Sequence, residues 1–215
     1  MSWVVLHFIG IIAYAATGAL VAIEAGYSFI GVFVLGLTTS FGGGIIRNLI
    51  IDAPVSGLWE ANIVAVVFAT LTIIILLPVK WIHHWRRWGL FFDSIGLASF
   101  ALQGALSASQ LHNSLGLVLL SAIFTGLGGG MIRDLLAGRK PLALKEEIHA
   151  VLTLICGFCV WLDWTHPFQL TLVIFGVVTI RMLAIQLKWK LPFLSAALGK
   201  KPLPLPVSAI RREMD

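Results

Sequence analysis

The sequence predicts an all-α integral membrane fold: seven transmembrane helices, set as two inverted three-helix repeats plus a seventh helix. Three observations predict it. Charge is scarce, apolar residues fall in span-length blocks, and one block pattern occurs twice. Of 215 residues, 59% are hydrophobic and 12% are charged, against about 25% charged in ordinary soluble domains. A soluble core of this size would lack the polar surface to cover it.

A helix needs about 20 apolar residues to cross the hydrocarbon of a bilayer. Windows 4–23, 28–51, 59–78, 90–109, 114–137, 147–164 and 168–187 meet that length within the usual uncertainty. None shows the apolar/polar alternation of a membrane β-barrel. No Lys or Arg precedes the first window, so it lacks the charged leader of a secretory signal and is expected to be a true span. Cys156 and Cys159 form a CxxC inside the sixth window without further Cys or His partners, and are expected to be small packing residues.

Basic residues set the orientation. With seven spans, one side carries Lys80, Arg86, Arg87, Arg139, Lys140, Lys145, Lys188, Lys190, Lys200, Lys201, Arg211 and Arg212, and the short connections of the other carry none. Cytoplasmic loops hold the Lys/Arg excess, so the N-terminus is expected outside and the C-terminus in the cytoplasm. Tryptophan prefers the headgroup level; Trp3, Trp59, Trp161 and Trp164 fall at outer span ends, and Trp81, Trp85, Trp88 and Trp189 at inner ends. The net charge of +5 is therefore a topology signal. No folded basic face points to a nucleic-acid partner, whereas the inner loops and tail suit anionic headgroups.

An offset of 86 residues aligns Gly10 with Gly96, Gly18-Ala19-Leu20 with Gly104-Ala105-Leu106, Gly42-Gly43-Gly44 with Gly128-Gly129-Gly130, Arg47 with Arg133, and Glu60 with Glu146. Each copy holds three spans, an odd number, so the second enters the membrane from the opposite side. The chain divides into residues 1–86 (first repeat), 87–167 (second, inverted repeat), 168–187 (seventh helix) and 188–215 (a basic tail with Pro192, Pro202, Pro204 and Pro206). Transport folds with this symmetry place their site where the halves meet.

The strongest matching segments are Ser40-Phe-Gly-Gly-Gly-Ile-Ile-Arg-Asn-Leu49 and Gly126-Leu-Gly-Gly-Gly-Met-Ile-Arg-Asp-Leu135. Each helical glycine costs about 1 kcal/mol relative to alanine. The triplets, 15 residues after Ser28 and Ser114 when counted to Gly43 and Gly129, are therefore expected to break the second and fifth helices near mid-membrane. Unwound backbone has to line protein or a wet cavity, never lipid. At helical spacing Thr39, Gly43 and Arg47 share a face, as do Thr125, Gly129 and Arg133. Arginine at membrane depth costs at least ~2.5 kcal/mol and faces a bundle interior or water.

Plainer roles compete with a pathway. Triple glycine also lets helices pack closely, and a membrane arginine also snorkels to the headgroups. Asp134 adjoins Arg133, yet sequence neighbours do not face each other on a helix, so no pair is implied. Asp93, at the start of the fourth window, is a possible charge partner for an arginine. Arg181, near the inner end of the last span, is expected to snorkel. The histidines make no metal-ligand spacing, so no metal site is expected. No nucleophile–base pair lies in the spans, which argues against an enzyme.

With these residues in place, the sequence resembles the prokaryotic trimeric intracellular cation (TRIC) channel family, also labelled UPF0126 or glycine-transporter-domain proteins. The resemblance covers about residues 5–187 and is closest over Thr125–Leu136. It implies a homotrimer in a bacterial or archaeal plasma membrane. Each subunit would hold an hourglass pore for monovalent cations, chiefly potassium, and no cofactor beyond permeant potassium or sodium. It implies Gly42, Gly43, Gly44, Arg47, Gly128, Gly129, Gly130 and Arg133 as pore residues; Thr39 and Thr125, on the same helix faces, and Asn48 and Asp134, next to the arginines, are the further pathway candidates. The first motif differs from the family pattern in Asn48, where Asp is common, and in Phe41, where Gly is common. The opposing expectation is a secondary carrier for glycine or another small amino acid, with Arg47 or Arg133 on its carboxylate. The channel is the expected function: arginines repel a permeant cation unless neutralised or used as a gate, and backbone carbonyls freed at the glycines would coordinate potassium while the arginines tether a closed state.

Overall fold

The computed structural model describes residues 2–77, 85–111 and 114–187. The side chains of Trp3, Lys80, Trp81, Trp85, Arg86 and Arg87 and the basic tail 188–215, on which part of the orientation argument rests, lie outside the described residues. The described chain is helical: α1 Ser2–Glu24, α2 Phe29–Ile50, a 3₁₀ turn Val55–Trp59, α3 Ala61–Leu76, α4 Trp85–Leu111, α5 Leu115–Leu136, a single turn α6 Leu142–Lys145, α7 Ile148–Trp161 and α8 Pro167–Gln186. Five helices, α1, α2, α4, α5 and α8, are long and apolar enough to cross a membrane. The third and sixth expected spans are shorter: α3 has 16 residues and α7 has 14, about 24 and 21 Å at 1.5 Å per residue. Each is preceded by a short turn, Val55–Trp59 or Leu142–Lys145, and α7 ends three residues before its apolar window does.

Local chemistry sets the ends. Ser28 caps α2 by accepting the Gly31 N–H at 3.3 Å. Beyond α1, Gly26 turns left-handed (φ 72°) while the Tyr27 N–H closes on the Ala22 carbonyl, the six-to-one bond of a Schellman cap. Beyond α5, Gly138 (φ 68°) does the same, with the Arg139 N–H on Asp134. The matching position after α2 is Asp52 (φ 53°), with the Ala53 N–H on Asn48; short polar side chains tolerate that conformation. Large apolar side chains such as Ile30, Ile73 and Phe175 stand exposed on the outside, as a lipid-facing surface requires. Trp59, Trp88, Trp161 and Trp164 are exposed near element ends. Cys156 packs in the core and Cys159 against it, both as free thiols.

The largest contacts are made among α1, α2, α4 and α5: α4 with α5, α1 with α4, α1 with α2 and α2 with α5. Those contacts are reciprocal. A Cβ on Gly42 would meet Ile132, and one on Gly128 would meet Ile46. A Cβ on Gly43 would collide with the Thr125 carbonyl, and one on Gly129 with the Thr39 carbonyl. Gly10 packs on Phe100 and Gly96 on Tyr14, and the Tyr14 and Phe100 rings stack with centroids 5.0 Å apart. Under the 86-residue offset every contact exchanges with its partner, which is what a local two-fold produces.

The expected breaks do not occur. Both α2 and α5 stay α-helical through Gly42–Gly44 and Gly128–Gly130. The physical reason is packing: the glycines bring two helical backbones into contact, and the dispersion and burial gained there outweigh their weak helix propensity. Only part of each triplet is used. Gly44 faces Leu58, and a Cβ on Gly130 would sit 3.7 Å from its nearest neighbours.

This division gives a test. Gly43→Ala and Gly129→Ala should each lower the thermal unfolding midpoint of the detergent-purified protein, by an overpacking cost of about 1–3 kcal/mol. Gly130→Ala should leave it unchanged or raise it by up to about 1 kcal/mol. Equal effects at 129 and 130 would show that the crossing is not the constraint.

Candidate functional site

The helix crossing brings together six of the predicted residues: Thr39, Gly42 and Gly43 of α2 against Thr125, Gly128 and Gly129 of α5. Thr39 and Thr125 are fully buried. The Tyr14 ring also packs against Gly129, and its hydroxyl donates to the Gly126 carbonyl. No side chain fits at Gly43 or Gly129, so the two helix backbones are in direct contact at the crossing in this conformation.

One turn beyond the crossing on α5 stands Arg133, 3% exposed. Its Nη1 donates to Asp93 Oδ1 of α4 at 2.5 Å and its Nε to Asp134 Oδ1 at 2.9 Å. The fourth-window carboxylate is thus the arginine's partner. Contrary to the expectation for helix neighbours, Asp134 is a partner too: arginine is long enough to fold back along its own turn, so the Cβ directions that separate neighbours do not bind its guanidinium. The other oxygen of Asp134 accepts the Leu142 N–H at 3.1 Å, fastening α5 to the turn before α7.

The second oxygen of Asp93 is held by Arg181 of α8. Arg181 was expected to snorkel; it is 1% exposed. Lying on the helix face toward α4, it finds a buried carboxylate closer than the headgroups. Its Nη2 also meets His149 Nε2 at 2.6 Å. Guanidinium only donates, so Nε2 accepts, and the ring proton sits on Nδ1, which donates to the Glu146 carbonyl at 3.1 Å. Two guanidinium groups and two carboxylates therefore share one buried cluster with no net charge. Sequence reasoning missed Arg181 and His149; a cation and an imidazole at membrane depth were the available signal.

The first half is built differently. Arg47, 6% exposed, donates from Nε to Asn48 Oδ1 at 2.9 Å, and Asn48 donates to the Pro54 carbonyl at 2.8 Å. Asn48 thus ties its helix to the following turn as Asp134 does, but as a donor, because it meets a carbonyl and not an N–H. Arg47 and Arg133 are not brought together; they flank the crossing at opposite ends of the bundle. Near the Arg133 end, Arg139 makes an exposed pair with Glu24 at 3.1 Å.

Comparison with known proteins bears on this arrangement. A family model described as "Glycine transporter" matches residues 4–78 and again 90–165. The UPF0126 membrane protein YvgT of Bacillus subtilis is 48% identical over 194 residues, covering 89% of this chain and 96% of that protein. The chain is a member of the prokaryotic TRIC/UPF0126 family. A second member, the UPF0126 inner membrane protein YadS of Escherichia coli K12, is 32% identical over 87% of this chain and 93% of its own. The fold of the TRIC/UPF0126 chain superposes on a crystal structure of a prokaryotic TRIC channel with a TM-score of 0.76 and 31% identity, covering 88% of this chain and 98% of that one. The TRIC trimeric intracellular cation channel orthologue from Rhodobacter sphaeroides gives 0.74 and 29%, over 87% and 98%. The chain is accordingly a multi-pass membrane protein of a family of membrane proteins and channels, and not an enzyme.

The Asp93 cluster carries its own expectation. Asp93→Asn removes the counter-charge from two buried arginines, and breaking such a pair costs about 3–5 kcal/mol. Thermal unfolding in detergent should show a loss of that order. Glu24→Gln, at the exposed pair with Arg139, should cost no more than about 1 kcal/mol.

Proposed function

We propose that this TRIC/UPF0126 protein is a potassium-conducting channel, a homotrimer with one hourglass pathway in each subunit. The observation that carries the reading is the reciprocal crossing of two arginine-bearing glycine helices in a fold matching structures described as TRIC cation channels. Seven spans with the N-terminus outside place the Arg139–Glu24 end at the cytoplasmic face. The pathway runs along the stripes Thr39–Gly43–Arg47 and Thr125–Gly129–Arg133, narrowest at the glycines. The present conformation is the closed one: α5 is held to α4 by Arg133–Asp93 and to α1 by Tyr14–Gly126. Opening separates α2 from α5, and the glycines make that separation possible by letting backbone carbonyls turn toward a wet path. Arg133 does not repel cations in this scheme, because Asp93 and Asp134 neutralise it.

A second reading has its own support, in the "Glycine transporter" description of the matching family model and in the uncompensated charge of Arg47. It makes the protein a carrier of a small amino acid. Planar-bilayer recording of the purified protein in potassium chloride decides: unitary currents that grow almost linearly with concentration support the channel, whereas saturable glycine uptake without unitary currents supports the carrier. In the channel, Arg133→Ala should raise open probability by freeing α5. A reporter that fluoresces only in the cytoplasm should be bright when fused after Asp215, and a dark fusion would reverse the proposed orientation.

A further inference from the structure

The second half of the molecule shows how a carboxylate sits on the arginine that follows the triple glycine. Asp93 Oδ1 accepts from Arg133 Nη1 at 2.5 Å. The 86-residue offset maps Arg133 to Arg47, Asp134 to Asn48 and Asp93 to His7. The first half therefore keeps the guanidinium and replaces both carboxylates by neutral side chains. The atom left over is the equivalent one: Arg47 Nη1 is buried and has no acceptor among the described residues. His7 Nδ1 and Gln103 Oε1 pair at 2.8 Å, and Gln103 Nε2, fully buried, has no acceptor among the described residues. His7 itself lies within electrostatic range of Arg47 and of Glu60. A buried guanidinium short of one charge-assisted hydrogen bond is a strong demand for an anion.

We propose that Arg47 Nη1 binds the carboxylate of a small monocarboxylic acid, which supplies the counter-charge that His7, the counterpart of Asp93, does not. The site lies at the end of the bundle away from the Arg139–Glu24 pair. It takes a carboxylate in preference to a spherical ion because guanidinium presents its donors in a planar fork, and its burial restricts the ligand to a few heavy atoms. Formate, acetate and the carboxylate end of glycine have that chemistry. The site is independent of permeation: it makes the same demand whether the protein conducts potassium or carries its ligand.

The full-length protein, purified in detergent, is titrated by calorimetry with sodium acetate and with glycine, and with acetamide and sodium chloride as the uncharged isostere and the spherical anion. Saturable binding of acetate or glycine is expected, with none for acetamide and none for chloride; the tighter of the two carboxylates identifies the source of the ligand. His7→Asp supplies the missing carboxylate from within, so it should raise the unfolding midpoint and weaken binding by at least about tenfold. Arg47→Gln should weaken it similarly, and Arg139→Gln should not. No saturable binding of either carboxylate to the wild type, or equal binding of acetamide or chloride, would overturn the site. So would undiminished binding in folded His7→Asp. If either variant fails to fold, the wild-type comparison of acetate with acetamide still decides.

Discussion

Where α2 crosses α5, two helical backbones touch with nothing between them. Neither Gly43 nor Gly129 has room for a Cβ, because the carbonyls of Thr125 and Thr39 occupy it. Much else follows from that approach. Helices this close bring whatever lies one turn further along into the protein interior, and what lies there is Arg47 on one helix and Arg133 on the other. A buried guanidinium needs counter-charge or acceptors. In the second half the need is met by Asp93 from α4 and Asp134 from its own turn. Asp93, having a second oxygen, draws in Arg181 and so fixes α8, a helix with no place in the repeat. One close packing contact thereby dictates a buried ion cluster, and the cluster dictates where the last helix sits.

The two-fold relation is obeyed by the packing and broken by the chemistry. Glycine positions, threonines, the stacked Tyr14–Phe100 pair and even the left-handed turns at Asp52 and Gly138 correspond. Polar partners do not. Asp134 accepts where Asn48 donates, and Asp93 is matched by His7. Packing symmetry follows from shape, which both copies share; charge is free to diverge because each arginine faces a different end of the membrane. The outcome is one neutral cluster and one cationic site on opposite sides of a close helix crossing.

Much of this was legible in the sequence because it depends on composition and periodicity. The apolar blocks, the 86-residue repeat and the two motifs are one-dimensional patterns, and Asp93 could be singled out because a carboxylate near a span end is rare. What could not be read depends on depth and direction in three dimensions. Arg181 near a span end looks like a snorkelling residue until α4 is seen to present Asp93 to it. Arg133 and Asp134 look divergent when only Cβ directions are considered, but the guanidinium lies several bonds beyond its Cβ. Triple glycine carries two opposed meanings, a helix that breaks and a helix that packs, and propensity alone selects the first. The contact that selects the second joins residues 86 positions apart or nearly so, which no local window contains. The short α3 and α7 were hidden for a related reason: an apolar window shows where a helix can run, not at which residue it starts or stops.

In the proposed cation pathway the arginines are the remaining tension, and magnitudes resolve it. At an effective dielectric constant near 20, two unit charges about 5 Å apart repel by about 3 kcal/mol, enough to cut cation occupancy by roughly a hundredfold. Around Arg133 this term vanishes, since Asp93 and Asp134 balance the two guanidinium groups. Around Arg47 it stays, as Asn48 offers a dipole but no charge. The electrostatic barrier to a cation therefore stands at one end of the crossing only, the end away from the Arg139–Glu24 pair. A carboxylate on Arg47 Nη1 would convert that end to the neutral state the other end already has. In the proposed channel, the close glycine contact and the charge at Arg47 are then separate barriers, the first relieved by moving α5, the second by binding an anion.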